Sequence, residues 1–292
     1  LRVARWADET GLAAYSHPDH YYAPRLPTEP AHRHDALALL AGLARETRRV
    51  ELVVMVSPVT FRHPAVLAKT AVTIDHMSGG RFVLGVGTGW LAEEHDLFGV
   101  EFPPLAERYA RLEDALGYLR AALGKDSPGH DGDFYRLAPM PIEPPPYGEL
   151  RILVGGTGSH RTPALAGRLA DEYNLDLTAP AADLEDRVAR MRVAASTAGR
   201  QTPKISAFGP AIVAETQRGY DKLVEGEAGY RGITAAELKE RSARCSYPHG
   251  DRVRVAEQMA RLREAGVSRF YLQYFGPWDP DHVASTLDLL RS

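Results

Sequence analysis

Residues 50–90 read VELVVMVSPVTFRHPAVLAKTAVTIDHMSGGRFVLGVGTGW. The run Val50–Val56 is almost continuously apolar, as a parallel strand must be when both of its faces are covered. His63-Pro64 then supplies a helix N-cap followed by proline at the first helical position, where its missing N–H costs nothing. Leu67, Ala71, Ile74 and Met77 recur at helical spacing on one face, and Gly79-Gly80 stops the helix. A second strand, Arg81–Val86, leads into Gly87-Thr88-Gly89-Trp90. Strand, helix and strand within 41 residues define a βαβ unit, and so a parallel sheet covered by helices.

The same alternation extends in both directions. Residues 1–10 predict a helix closed by Gly11. Leu12–Ser16 predicts a strand ending in His17-Pro18-Asp19-His20, and 34–47 a helix carrying Leu37, Leu40 and Ala44 on one face. Beyond Trp90, a long helix is expected over 105–123. Residues 125–149 are interrupted by Pro128, Pro139, Pro141, Pro144, Pro145 and Pro146 and read as an insertion loop. Strands at Leu150–Val154, Glu172–Leu177, Lys204–Ala214 and Ser268–Tyr274 alternate with helices at 162–170, 183–198, after Asp251 and at 281–291. The polar, glycine-dotted stretch 215–250 reads as a second insertion. The fold class expected is an α/β (β/α)8 TIM barrel, one domain over 1–292 with these two insertions. Seven strands are counted where eight are required. The first barrel strand is therefore expected before Leu1. The barrel should be open between the last strand and Leu12–Ser16, or closed there by residues outside this numbering.

Composition narrows the function. A formal charge of −3 gives no broad basic field for nucleic acid, and no apolar run reaches the roughly 18 residues that cross a bilayer. Cys245 is the sole cysteine, so there is no disulfide framework, which fits a cytoplasmic setting. Gly85-Val86-Gly87-Thr88-Gly89 suggests a dinucleotide loop, but Trp90 occupies the third glycine position and Glu93-Glu94 stands where a phosphate-binding helix would start. A glycine-lined strand end that admits a flat ring, or a plain tight turn, fits better. Gly155-Gly156-Thr157-Gly158-Ser159 precedes a helix and reads equally as a phosphate cradle or a simple turn. His17 with His20, and His32 with His34, lack metal-ligand spacing, so no metal is expected. There is no nucleophile elbow, and a glycosidase would need two carboxylates at strand ends where this chain has glycines.

The block from Ser57 to Arg108, SPVTFRHPAVLAKTAVTIDHMSGGRFVLGVGTGWLAEEHDLFGVEFPPLAER, resembles the signature of the bacterial luciferase-like family of flavin- and deazaflavin-dependent oxidoreductases. Asp19-His20 and LVGGTGSHRTPALAGRLADEYN (Leu153–Asn174) resemble further family blocks, in order and at suitable spacing. The Asp-His pair, Gly-Thr-Gly-Trp and the glycine-rich loop are most similar to the actinobacterial members that use coenzyme F420, with FMN the alternative cofactor. The glucose-6-phosphate dehydrogenases of the family carry glutamate directly after Gly-Thr-Gly, where this chain has Trp90. The tryptophan expected a few residues after Asp-His is absent as well, since the chain runs Tyr21-Tyr22-Ala23-Pro24. Both departures argue against a sugar phosphate.

The resemblance implies hydride transfer between the deazaflavin and a small organic substrate. The alternatives are an FMN-dependent monooxygenase and a flavin-binding paralogue without turnover. It implies His20 as the proton-transfer or orienting residue and a cofactor set of Asp19, Val54, Met55, Gly87, Thr88, Gly155, Gly156, Thr157 and Thr178. Tyr21, Tyr22 and Trp90 would wall the substrate side. A homodimer, and a bulge with a non-proline cis peptide near Val54-Met55 as a backstop for the ring, are further implications.

Overall fold

A computed structural model of the chain describes residues 1–23, 33–274 and 278–291. Seven parallel strands form its central sheet in sequence order: β1 (Ala14–His17), β2 (Glu51–Pro58), β3 (Phe82–Gly87), β4 (Arg151–Gly156), β5 (Glu172–Asp176), β6 (Lys204–Gly209) and β7 (Val267–Leu272). Each strand pairs with the next, and no ladder joins β7 to β1 among the described residues. The sheet is a nearly closed barrel with its seam at the expected place. A helix, α1 (Arg2–Glu9), precedes β1 as the sequence predicts.

The covering helices are α2 (Ala36–Glu46), α3 (Pro64–Ser78), α4 (Ala92–Phe98), α5 (Leu105–Leu123), α6 (Arg161–Leu169), α7 (Leu184–Thr197), α8 (Gln217–Arg231), α9 (Ala235–Arg244), α10 (Arg252–Glu264) and α11 (Pro280–Arg291). The boundaries of α3 follow the chemistry of its ends. The His63 ring accepts a hydrogen bond from Ala65 N at 3.2 Å, Pro64 opens the first turn, and Gly79 closes the last at φ 67°. Leu67, Ala71 and Ile74 are buried against the sheet.

Alternation along the strands sorts the barrel interior into layers. At the strand starts, Glu51 pairs with Arg151 and Arg269, the Tyr271 hydroxyl joins Arg269 to Glu172, and Lys204 lies within the electrostatic reach of this cluster. Above them Val53, Val83, Leu153 and Tyr271 form an apolar girdle, with Met55, Val56 and Phe208 packed on it. Asn174 Nδ2 donates to Ser206 Oγ at 2.9 Å across β5 and β6, so these buried polar groups satisfy each other.

The bulge lies one residue further along than expected. Val54 pairs with Leu84 but Ser57 with Val86, which leaves one extra residue on β2, and the Met55–Val56 peptide is cis. This bulge explains the glycines opposite it. A Cβ on Gly85 would lie 2.1 Å from the Val54 carbonyl oxygen, and one on Gly87 would lie 2.7 Å from a Val56 methyl. The Gly-Val-Gly run of β3 makes room for its neighbouring strand.

Two segments differ from the sequence reading. The strand expected over Lys204–Ala214 is divided at Pro210: residues 204–209 stay in the barrel, while Ile212–Ala214 pairs in parallel with His249–Asp251 outside it. The insertion 215–250 holds two regular helices, α8 and α9. Thr216 caps α8, and Thr234 with Glu237 forms a reciprocal capping box for α9. Glycines at 219, 226 and 229 within α8 obscure its periodicity. The other insertion, 125–149, contains only a two-residue antiparallel ribbon, His130–Asp131 with Arg136–Leu137. Pro24 and His32 lie outside the described residues.

Candidate functional site

The loops after the strands surround a cavity of about 1450 Å³ that opens at the C-terminal end of the barrel and extends down to the seam between β1 and β7. That volume includes the open seam beside α1 and α11, and only the part over the strand ends is bordered by the residues singled out from the sequence. His20, Met55, Val56, Gly87, Thr88, Trp90, Gly155, Gly156, Thr157 and Thr178 all line it.

His20 is held by a residue that was not singled out from the sequence. Its Nδ1 lies 2.8 Å from Oε1 of Glu94, and Glu94 is 1% exposed. A carboxylate only accepts, so Nδ1 carries the hydrogen and Nε2 remains as the free nitrogen of a ring that borders the cavity. Oε2 of Glu94 accepts from the backbone N–H groups of Tyr21 (3.2 Å) and Tyr22 (3.4 Å). One carboxylate therefore fixes both the ring and the loop that carries it. Trp90 meets the His20 ring edge to face at a centroid distance of 5.7 Å and is 65% exposed, a large aromatic surface at the rim.

Asp19 lies beneath this loop and does not line the cavity. It accepts from Ser57 Oγ at 2.7 Å and pairs with both terminal nitrogens of Arg62, which also bonds Asp35. Ser57 directly follows the β2 bulge, so this buried network ties the His20 loop to the bulge. Val54 is fully buried in the wall of β2, with Met55 and Val56 forming the face above it. Tyr21 stacks on Phe61 at 4.6 Å, and neither Tyr21 nor Tyr22 borders the cavity. Among the described residues no group of three or more His, Cys, Asp or Glu side chains could hold a metal ion.

On the far side, the loop after β4 is held by Arg187 of α7. Its Nη2 donates to the Gly156 carbonyl at 2.6 Å, Nη1 to the Asp176 carbonyl at 3.3 Å, and Nε to the Tyr173 hydroxyl at 3.2 Å. Thr178 donates through N–H (2.9 Å) and Oγ1 (2.6 Å) to the Asp176 carboxylate. The N-cap residue of α6, His160, makes no side-chain cap bond, so the first N–H groups of that helix lack a side-chain acceptor. His17, at the end of β1, also borders the cavity. Burial and the nearby Arg33 charge push its pKa down to about 4, which leaves it neutral near pH 7.

The family described as luciferase-like monooxygenase matches residues 1–291. The chain belongs to that family. It is 33% identical over 168 residues to an F420-dependent glucose-6-phosphate dehydrogenase from Amycolatopsis mediterranei, covering 57% of this chain and 50% of that protein. Against the pyrimidine monooxygenase RutA of Serratia proteamaculans, identity is 30% over 176 residues, covering 58% of this chain and 47% of the other. The chain thus spans about half the length of these curated relatives. In fold it is similar to an F420-dependent secondary alcohol dehydrogenase solved with an F420–acetone adduct. The TM-score there is 0.78 and identity 20%, over 100% of this chain and 94% of that one.

Residues that the sequence reading left out are Glu94, Asn174, Asp176, Phe208 and Arg187. Glu94 had a signal, since it follows the Gly-Thr-Gly-Trp turn within one short helix, but it was weighed only as a misfit to a phosphate loop. Asn174, Asp176 and Phe208 sit in ordinary strand patterns and are set apart only by lining the cavity, and Arg187 only by its hold on the Gly156 carbonyl.

Proposed function

We propose that the chain is a coenzyme F420-dependent oxidoreductase acting on a small organic substrate in the barrel mouth. The observation that carries this reading is the His20–Glu94 pair, a ring nitrogen held free at the edge of a cavity walled by the β2 bulge and the β3 and β4 glycines. The donor set suits a flat ring with a phosphate-bearing tail. Met55, Val56, Gly87 and Gly155 form a wall low enough for a ring face to approach, and the Gly155–Thr157 turn with the start of α6 offers N–H donors to an anion.

A deazaflavin supplies hydride chemistry at a ring carbon when bound. The chain's own residues would hold the ring against the bulge, border the substrate with Trp90, and accept the hydroxyl proton of an alcohol substrate at the free His20 Nε2 as the hydride leaves the neighbouring carbon. Glu94 fixes the tautomer by accepting a hydrogen bond from Nδ1–H, in the way a carboxylate orients a catalytic imidazole. Trp90, in the position where the family's glucose-6-phosphate dehydrogenases have glutamate, favours an apolar or aromatic substrate over a sugar phosphate. A homodimer is part of the same proposal and rests on the family resemblance alone.

An FMN-dependent monooxygenase is the second reading, favoured by the match to the pyrimidine monooxygenase at nearly the same identity. Two assays separate the readings. Bleaching of the oxidised deazaflavin by a panel of alcohols supports the first, whereas substrate-dependent oxygen uptake with reduced FMN, without deazaflavin bleaching, replaces it with the second.

A further inference from the structure

Away from the barrel mouth, a second cavity of about 370 Å³ is bordered by Gln217 and Tyr220 of α8, Lys239 and Glu240 of α9, and His249 and Arg254 around the start of α10. No residue borders both this cleft and the cavity over the strand ends. Two neighbours seat Arg254 in it. Gly250 has φ 130°, and a Cβ there would lie 2.7 Å from Arg254 Cδ, so glycine leaves the arginine its path. His249 is buried, and its Nε2 lies 2.8 Å from Arg254 Nη2. A guanidinium only donates, so Nε2 accepts, and Nδ1–H donates to the Tyr247 carbonyl at 3.1 Å. Burial, helped by the Arg254 charge, holds the His249 pKa below its ordinary value, which keeps the ring a neutral acceptor.

Arg254 stays exposed at the cleft, and its one side-chain hydrogen bond among the described residues goes to that neutral ring. A second cation stands beside it. Lys239 Nζ lies 5.8 Å from the centre of the Tyr220 ring and bonds Asp221 at 2.7 Å, while the Glu240 carboxylate is taken up by Arg244. Burial pushes the Tyr220 phenol up, and the charges of Arg254 and Lys239 both act against it, so both cations lie within reach of that hydroxyl. A guanidinium fork matches the paired oxygens of a carboxylate or a phosphate, and an ammonium adds a point charge. We propose that this cleft binds a small, multiply charged oxyanion, a phosphate ester or a dicarboxylate, with Arg254 as its main contact and Lys239 and Tyr220 beside it. The site does not depend on the cofactor reading above.

The test uses the whole chain and two probes, inorganic phosphate and succinate, each compared with sodium chloride at equal ionic strength. Melting temperature is followed against anion concentration for wild type, Arg254→Gln, Arg254→Lys and Lys222→Gln, since Lys222 is an exposed cation of α8 outside the cleft. A saturable rise is expected for wild type and Lys222→Gln with at least one anion. Arg254→Gln should need about tenfold or more of that anion for the same rise, and Arg254→Lys should recover part of the loss. A rise with phosphate alone makes the ligand a phosphate ester, and one with succinate alone makes it a dicarboxylate. No saturable rise with either anion overturns the proposal, as does an equal response in Arg254→Gln. Hydrogen–deuterium exchange then locates the ion. Slower exchange is expected in α8, α9 and residues 249–254. Slowing confined to the loops of the barrel mouth would put the anion in the other cavity and overturn the site.

Discussion

At the floor of the barrel Glu51 is shared between Arg151, at 2.7 Å, and Arg269, which in turn donates to the Tyr271 hydroxyl at 3.0 Å. At the mouth His20 has one partner, Glu94, and its other nitrogen is left over; Arg187 holds three carbonyl or hydroxyl oxygens and no anion. Glu51 and its two arginines on the floor satisfy one another, although Glu172 Oε2 is buried there without a hydrogen-bond partner among the described residues, whereas the mouth orients His20 and leaves one ring nitrogen facing the cavity. In (β/α)8 barrels the C-terminal face carries chemistry and the N-terminal face carries stability. In this chain that division extends to single side chains. Burial acts to raise the Glu51 pKa, but the two arginines outweigh it and hold the carboxyl below its ordinary value. Lys204, pushed down by burial and by the Arg269 charge, completes the same cluster.

The largest effect should come from breaking the mouth. His20→Asn is expected to lower turnover about 10²–10⁴-fold, the usual range for a positioned acid–base group, with little change in melting temperature. Glu94→Gln keeps the shape but offers an amide in place of the carboxylate, and should cost about ten- to a hundredfold in kcat with ring affinity nearly unchanged. Steady-state kinetics beside a thermal melt decides both. A melt that collapses with His20→Asn would make the residue structural.

Gly85→Ala comes next and acts on stability. The new methyl meets the Val54 carbonyl, which belongs to a backbone that cannot step aside, so a loss of about 3 kcal/mol or more is expected in denaturant titration. A loss under about 0.5 kcal/mol would mean that the bulge of β2 does not press on β3 as described.

The floor gives the counterpart to the mouth. Glu51→Gln removes the shared carboxylate from Arg151 and Arg269 and should cost about 1–3 kcal/mol of stability, less than for a fully dry pair because the group keeps some solvent contact. Its kcat and KM should stay near wild type. Reduced turnover with unchanged stability would erase the contrast between floor and mouth.

The smallest effect concerns pH. The folded-state pKa of His17, about 4, lies below its unfolded value near 6.5, so between these values the unfolded chain binds more protons. Stability therefore rises with pH across that window. As pH falls it is lost from about 6.5 downward, and the loss is complete below about 4. A contribution on the order of 1–2 kcal/mol is expected for this half-buried ring, measured as a flatter stability–pH curve in His17→Asn. An unchanged slope would remove His17 from that account.

The barrel was legible because its signals are local. The apolar run of β2, the His63-Pro64 start and the Gly79-Gly80 stop of α3 each follow from a few adjacent residues, and counting strands was enough to locate the seam. The cavity-lining glycines were legible too, although their reason was not. Gly85 and Gly87 answer to Val54 and Val56, some thirty residues away in the chain, and only the strand register brings these together. Asp19 stood beside His20 in sequence and was assigned to the cofactor, yet its contacts with Ser57 and Arg62 are long-range and take it under the loop. Glu94 and Arg187 were missed for the same cause: each gains its meaning from a partner 74 or 31 residues distant. Helices α8 and α9 were hidden by glycines within a polar stretch, where tertiary packing and good caps override weak intrinsic preference.

The most direct test is a fluorescence-quenching titration of the wild-type chain with coenzyme F420 and with FMN, side by side. The account predicts that the deazaflavin binds at micromolar or better affinity and FMN at least about tenfold more weakly, a difference of about 1.4 kcal/mol. FMN binding as tightly as the deazaflavin, or more tightly, would contradict it.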